Sequence, residues 1–224
     1  MKTIVIAPHA DDELLGCGGT LIKRGNSGAE ISWLLITTMF EEHGWNKKQI
    51  SDKEEQINFV RKSLNIKSNN FFNLNFPTTK LDQFPINQLI KKIFNVFAEF
   101  EPNEIFIPHP GDIHSDHKVV FEAAVSCTKW FRYPSIKSIY TYETISETDF
   151  GIDPRYISFK PNTFIDISNC LEAKLKLIET YKSEINEYPF PRSIEAIKAL
   201  SKIRGVQMGV KAAEAFCLLK HREL

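Results

Sequence analysis

Short apolar runs alternate with longer segments of helical spacing through the first two thirds of the chain. Thr3 to Ala7 and Ile31 to Thr37 are continuous apolar runs, the mark of strands buried on both faces of a parallel sheet. Between them a polar turn, Pro8 to Glu13, leads into a segment of helical spacing, Leu14 to Arg24, ended by Gly25 and Asn26. The same alternation predicts a helix over Ile50 to Leu64, a short strand over Asn70 to Leu74 and an amphipathic helix over Ile86 to Phe100. It continues with a strand over Glu104 to Pro108, a helix over Asp116 to Trp130 and a strand over Ile136 to Tyr142. Beyond residue 143 the pattern loosens. Asp149 to Pro161 reads as a loop broken by Pro154 and Pro161. Thr163 to Ile167 reads as a strand, Leu171 to Tyr181 and Ile194 to Val206 as helices, and Ala215 to Leu219 as a closing apolar segment. Strand–helix alternation of this kind predicts an α/β fold, a Rossmann-like three-layer sandwich around a mostly parallel sheet. Neither a repeat nor a linker interrupts it, so one domain over residues 1–224 is expected.

Composition narrows the function classes. The 224 residues are 42% hydrophobic and 25% charged, enough for a sizeable core without disulfide or metal staples. The 28 basic residues balance the 28 acidic ones, and a protein that lives on phosphate backbones usually carries a basic excess. A general nucleic-acid function is therefore not expected, and Lys47-Lys48 and Lys91-Lys92 read as solvated helix faces. Cys17, Cys127, Cys170 and Cys217 are too scattered for a zinc knuckle or redox motif, and read as reduced thiols. No leader is evident before the first strand and no run approaches about 20 apolar residues, so a cytoplasmic location without an integral membrane segment is expected.

Two segments carry chemistry. Pro8 to Glu13 follows the first strand, and Pro108 to His117 follows the strand Glu104 to Pro108. Open α/β sheets bind ligands beyond the carboxyl ends of their strands, so the two loops meet if those strands are neighbours. Together they hold four of the six histidines and five carboxylates. A catalytic zinc takes about three protein ligands and keeps one position open, and His9, Asp12 and His117 would supply that set. Zinc so held lowers the pKa of water to about 7, and an uncoordinated carboxylate can accept the proton. The doublet Asp11-Asp12 offers one ligand and one base. The negative oxygen of a tetrahedral intermediate needs a donor, either a protonated His114 or the metal.

Each feature alone has a plainer reading. Asp-Asp-Glu at a helix start is more often a cap that complements the helix dipole, and a lone His-x-x-His more often packs than binds metal. The pairing of the two loops at strand ends reverses that preference. His43 and His221 read as surface or loop residues, and His109 is left unassigned. Cys17, within Leu15-Gly16-Cys17-Gly18-Gly19, reads as packing on a helix whose glycines let it approach the sheet, rather than as ligand or nucleophile. Those glycines follow the acidic turn instead of forming it, which argues against a nicotinamide cofactor.

The stretch Pro-His-Ala-Asp-Asp-Glu-Leu-Leu-Gly-Cys-Gly-Gly-Thr, residues 8–20, resembles the opening signature of the LmbE-like, or PIG-L, N-acetylglucosaminyl deacetylases, usually Ala-His-Pro-Asp-Asp-Glu. His114-Ser115-Asp116-His117 resembles their second signature, His-x-Asp-His. Phe164 to Ser168, Lys174, Tyr181, Ser183 and Ala213 to Phe216 extend the similarity over nearly the whole chain. The resemblance implies a Rossmann-like fold and one divalent metal, usually Zn2+, with Fe2+ also compatible with such a donor set. It implies His9, Asp12 and His117 as ligands and Asp11 as the base. His114 would stabilise the oxyanion or protonate the leaving amine, and Asp116 would orient a histidine. The implied reaction removes the N-acetyl group from a GlcNAc-type amino sugar, giving acetate and a free amine. The substrate is then a small molecule, and homo-oligomers are known among such proteins. The alternatives are the same chemistry on another amide, such as an antibiotic or thiol precursor, and a non-catalytic metal- or sugar-binding module. The chain departs from the pattern at Ala10, where proline is common, and at Lys53 and Gln56, where the family often has Arg-x-x-Glu. Lysine lacks the planar fork with which arginine grips carboxylate or phosphate. The segments Thr38 to Gln49 and Thr144 to Pro161 are expected to wall the substrate pocket.

Overall fold

In the computed structural model, residues 1–155 and 157–223 are described. Seven strands form one sheet in the order β3-β2-β1-β4-β5-β7-β6. These are β1 (Lys2–Ala7), β2 (Glu30–Thr38), β3 (Phe71–Pro77), β4 (Glu104–Pro108), β5 (Ser138–Tyr142), β6 (Thr163–Asp166) and β7 (Ala213–His221). β1 pairs in parallel with β2 and β4, and the parallel run continues through β3 and β5. β7 runs antiparallel between β5 and β6. The helices are α1 (Asp12–Asn26), α2 (Lys47–Ser63), α3 (Ile86–Phe100), α4 (Ser115–Ser126), α5 (Leu171–Ile178) and α6 (Ile194–Met208).

Strand alternation distributes the core to two sides of the sheet. Val5, Trp33, Leu35 and Phe106 pack with Leu14, Leu21, Val60, Leu175 and Ile197 of α1, α2, α5 and α6. Ile4, Ile6, Leu34 and Ile105 pack with Leu89, Ile93, Phe97 and Val120 of α3 and α4. This is the expected three-layer arrangement. The glycines of α1 allow its close approach: a Cβ at Gly16 would stand 2.3 Å from Tyr142 Cδ2, and one at Gly19 2.7 Å from Ile167 Cγ2. Cys17 is fully buried beside them, as a packing residue.

Several boundaries differ from the periodicity. α4 ends at Ser126 rather than reaching Trp130, and Lys129 to Arg132 is exposed, with Trp130 and Phe131 packed into neither core. α5 ends at Ile178, and β5 begins at Ser138. α2 starts earlier than expected, at Lys47, where Asn46 and Gln49 form a reciprocal capping box. The closing apolar segment is a long strand, and an apolar run carries no mark of the antiparallel direction it takes. Among the described residues no helix is long and apolar enough to cross a membrane.

The strand order reverses between β1 and β4, so the loops after these two strands diverge to opposite faces and leave a crevice. Both histidine-bearing loops lie there.

Candidate metal centre and active site

The first loop delivers its side chains through an unusual turn. Asp11 has φ 154° and ψ −28°, a region costly for a residue with a Cβ, by roughly 1–3 kcal/mol. The Asp11 side chain makes no capping bond to α1, so the plain helix-cap reading fails at this residue. Instead the turn is held from outside: Asp11 N donates to Glu13 Oε2 at 3.0 Å, and Glu13 Oε1 accepts from the Tyr181 hydroxyl at 2.8 Å. Burial keeps the Glu13 carboxyl well above the usual carboxylate range.

Asp12, the first residue of α1, sits between two imidazoles. Its Oδ2 lies 3.4 Å from His9 Nδ1 and 3.3 Å from His117 Nε2. Ligands around a tetrahedral zinc at ~2.0–2.2 Å stand roughly 3.3–3.6 Å from one another, so both edges fit such an ion. The far nitrogens are occupied. His9 Nε2 lies 3.0 Å from Asp116 Oδ2, and His117 Nδ1 lies 2.8 Å from Asp112 Oδ2. Asp112 in turn accepts from Thr148 Oγ1 at 2.6 Å, and Asp116 from the backbone N–H groups of Thr79 and Leu81. Carboxylates behind metal-binding histidines fix the tautomer and aim the free nitrogen at the ion. His117 Nε2 is buried and has no hydrogen-bond partner. An orphaned nitrogen of this kind is costly until a partner meets it, and for the neutral ring that partner would be a cation.

The electrostatics agree. Burial opposes charge on His9, but hydrogen bonds to Asp116 and Asp12 outweigh it and raise its pKa to about 9. Burial also opposes charge on His117, while the charge of Asp12 raises it well above its ordinary value. Burial works against ionised Asp12 too, yet the charge of His117 holds it well below the usual range. Two imidazolium charges around one carboxylate match the charge of a divalent cation. A second grouping, His9, His114 and Asp116, also has donors close together. It fits less well, because Asp116 already serves two backbone donors and His114 Nδ1 accepts from Asp116 N at 3.1 Å.

Asp11 stands apart from the donor set. Its Oδ2 accepts from Arg192 Nη1 at 2.8 Å, and the residue lines a cavity of about 270 Å³ beside the metal site. Burial and then the neighbouring Asp12 charge raise its pKa, against the pull of Arg192. His114 lines the same cavity. The bond at Nδ1 leaves Nε2 as the protonated nitrogen of a neutral ring. Burial first, then the charges of His9 and His117, lower its pKa to about 4.

Thr38, Met39 and Trp45 line the cavity, as expected of the segment Thr38 to Gln49. The other expected wall, Thr144 to Pro161, does not. Ser146 and Glu147 of that segment bond to Arg192, and it is Arg192, with Glu184, that faces the cavity. Tyr156 of that segment lies outside the described residues. His109 is buried and bonds through Nε2 to the Ile157 carbonyl at 2.8 Å, a structural role. His43 lies beside Lys80 and His221 beside Ser138, and neither lines the cavity. Asp112, Thr148, Glu184 and Arg192 carry no weight in the sequence reading. Asp112 was within reach, three residues after His109 in a loop already singled out, whereas Arg192 sits in a proline-containing coil with no motif around it.

A family model described as PIG-L, GlcNAc-PI de-N-acetylase, matches residues 4–128. The chain belongs to this family. That match spans both histidine loops of the PIG-L chain and the crevice between β1 and β4. A diacetylchitobiose deacetylase from Thermococcus kodakarensis is 25% identical over 229 residues, covering 95% of this chain and 81% of the relative. Among solved structures, the N,N'-diacetylchitobiose deacetylase of Pyrococcus horikoshii aligns with TM-score 0.78 and 22% identity, over 98% of this chain and 84% of that one. A 4-carboxy-2-hydroxymuconate hydratase from Pseudomonas putida aligns with TM-score 0.74 and 16% identity, over 100% of this chain and 98% of that one. One fold thus carries both an amide hydrolase and a hydratase, so the chemistry of this PIG-L chain has to be argued from its site.

Proposed function

We propose that this PIG-L protein is a zinc-dependent N-deacetylase that hydrolyses the acetamide of a GlcNAc-type amino sugar, giving acetate and a free amine. The observation that carries the reading is the pairing of three converging donors, His9 Nδ1, Asp12 Oδ2 and His117 Nε2, with an uncoordinated carboxylate, Asp11, on the adjoining cavity. When bound, the ion supplies Lewis acidity and brings the pKa of water to about 7. Two histidines and one aspartate also suit ferrous iron, so zinc is the first metal to try.

The residues of the chain divide the remaining work. Asp11 takes the proton of the attacking water, and its raised pKa suits a base that must both accept and later return that proton. Arg192 holds the Asp11 carboxylate by one oxygen, leaving Oδ1 for the proton. Neutral His114 donates from Nε2 to the oxygen of the tetrahedral intermediate, with no need of an imidazolium. Asp116 holds both rings, bonding His9 through its carboxylate and His114 through its backbone N–H. The proton on Asp11 then passes to the amine as the C–N bond breaks.

Acetate release from neutral and conjugated N-acetyl amino sugars, with stoichiometric zinc, tests this directly. Turnover lost with a chelator and restored by zinc is expected. A broad panel without turnover, on protein shown to hold one metal per chain, would sink the reading.

A further inference from the structure

The cavity beside Asp11 carries an unusual charge inventory. Trp45, Ile50 and Ile57 give it apolar surface, and Thr38, Asn73 and Asn75 give it hydroxyl and amide groups. That mixture suits a sugar, whose ring hydrogens pack while its hydroxyls bond. Lys53 and Arg192 are its only lysine and arginine among the described residues, and both are already committed. Lys53 Nζ donates to Glu184 Oε1 at 2.7 Å. Arg192 spends all three nitrogens: Nε on Ser146 Oγ at 2.7 Å, Nη1 on Asp11 Oδ2 at 2.8 Å and Nη2 on Glu147 Oε1 at 3.0 Å. Glu184 Oε2 lies a further 3.6 Å from Nη1, and Glu54 adds another carboxylate to the lining.

Three carboxylates therefore face the cavity, with two cations that are each already paired with a carboxylate. An anionic group entering here would meet the carboxylates of Asp11, Glu54 and Glu184, and would have to compete with Glu184 for Lys53 or with buried Asp11 for Arg192. We infer that the pocket takes an uncharged N-acetyl amino sugar and rejects one bearing a phosphate or carboxylate close to the acetamide. The inference rests on the deacetylase reading and adds the charge class of its substrate. It also answers the question posed by lysine at position 53: this side chain is the partner of Glu184, over the Tyr181 ring, and is not a free anion receptor.

The test compares acetate release by the zinc-loaded full chain from GlcNAc, diacetylchitobiose, GlcNAc 6-phosphate and UDP-GlcNAc. The neutral sugars should exceed the phosphorylated ones in kcat/KM by roughly tenfold or more, the scale of a like-charge clash in a partly buried site. Glu184→Gln releases Lys53 and should narrow that ratio in favour of GlcNAc 6-phosphate. Equal or better turnover of the phosphorylated sugars by the parent protein would overturn the inference while leaving the deacetylase reading intact. So would an unchanged ratio in Glu184→Gln. If no sugar is turned over, the deacetylase reading fails and calorimetry decides the charge question separately. In that case the zinc-loaded parent protein binding GlcNAc and not GlcNAc 6-phosphate supports it, and any other binding pattern overturns it.

Discussion

Helix α1 touches two buried charge clusters that have opposite characters. At its N-terminus, Asp12 lies between His9 and His117, and one imidazole nitrogen has no partner. In its middle, Lys174 Nζ donates to Glu214 Oε1 at 2.7 Å and to the Leu15 carbonyl at 2.9 Å, while Glu214 accepts from the N–H groups of Gly19 and Thr20. Asp12, His117, Lys174 and Glu214 are all buried, and His9 is partly so. The second is closed, each charge meeting its counter-charge and backbone partners. The first has an open coordination shell beside a cavity. Burial of charge is common to scaffold and site, and the incomplete shell is what separates them.

Three substitutions and one proton-release measurement would break or sharpen that contrast. Asp11→Asn should lower kcat by about 10³-fold, the scale of lost general base catalysis, while metal content per chain stays at the parent value. Full activity in this variant would remove Asp11 from the chemistry. Lys174→Met should act the other way round. Removing one partner of a buried pair costs about 3–5 kcal/mol of stability, read as a large drop in Tm, with zinc stoichiometry intact in the folded fraction. A variant as stable as the parent would show that the closed cluster is not needed by the scaffold. Asp112→Asn should weaken zinc binding by about 10–100-fold in a competitive chelator titration, since it leaves His117 without its orienting carboxylate. An unchanged affinity would mean that His117 is aimed by packing alone.

The smallest effect concerns protons. The raised pKa values of His9 and His117 mean that zinc must displace protons at neutral pH. About two protons should leave per ion, read by calorimetry in buffers of differing ionisation enthalpy, and affinity should strengthen as pH rises toward 9. The stability of the metal-free protein moves oppositely. A histidine whose folded pKa is raised contributes fully below its ordinary value of 6.5, and the contribution from His9 fades as pH climbs to about 9. Zinc uptake without proton release would contradict this electrostatic picture.

The two clusters were unequally legible in the sequence. The candidate ligands lie in or just past two short loops that follow apolar strands, His9 in the first loop, Asp12 at the start of α1 and His117 in the first turn of α4, so periodicity placed them near strand ends. The reversal of strand order between β1 and β4 then brought the loops together. Lys174 and Glu214 stand on a short helix and a late strand, and nothing local marks them as partners. Arg192 was invisible for the same reason: its role comes from a coil folded back onto Asp11 across most of the chain. Interactions set by local spacing can be read from a single sequence, and those set by long-range return of the chain cannot.

The position of β7 has a consequence for the order of assembly. This strand comes last in chain order, yet it lies inside the sheet, between β5 and β6. Until residues 213–221 arrive, β5 presents an open edge and β6 has no neighbour in the sheet. Glu214 arrives on the same strand, so Lys174 also waits until then for its counter-charge. A nascent chain stalled before that point would hold both histidine loops and still lack a finished sheet behind them. Such a species is prone to pair its bare edge with another chain, so the return of β7, and not the metal site, closes the sheet against aggregation.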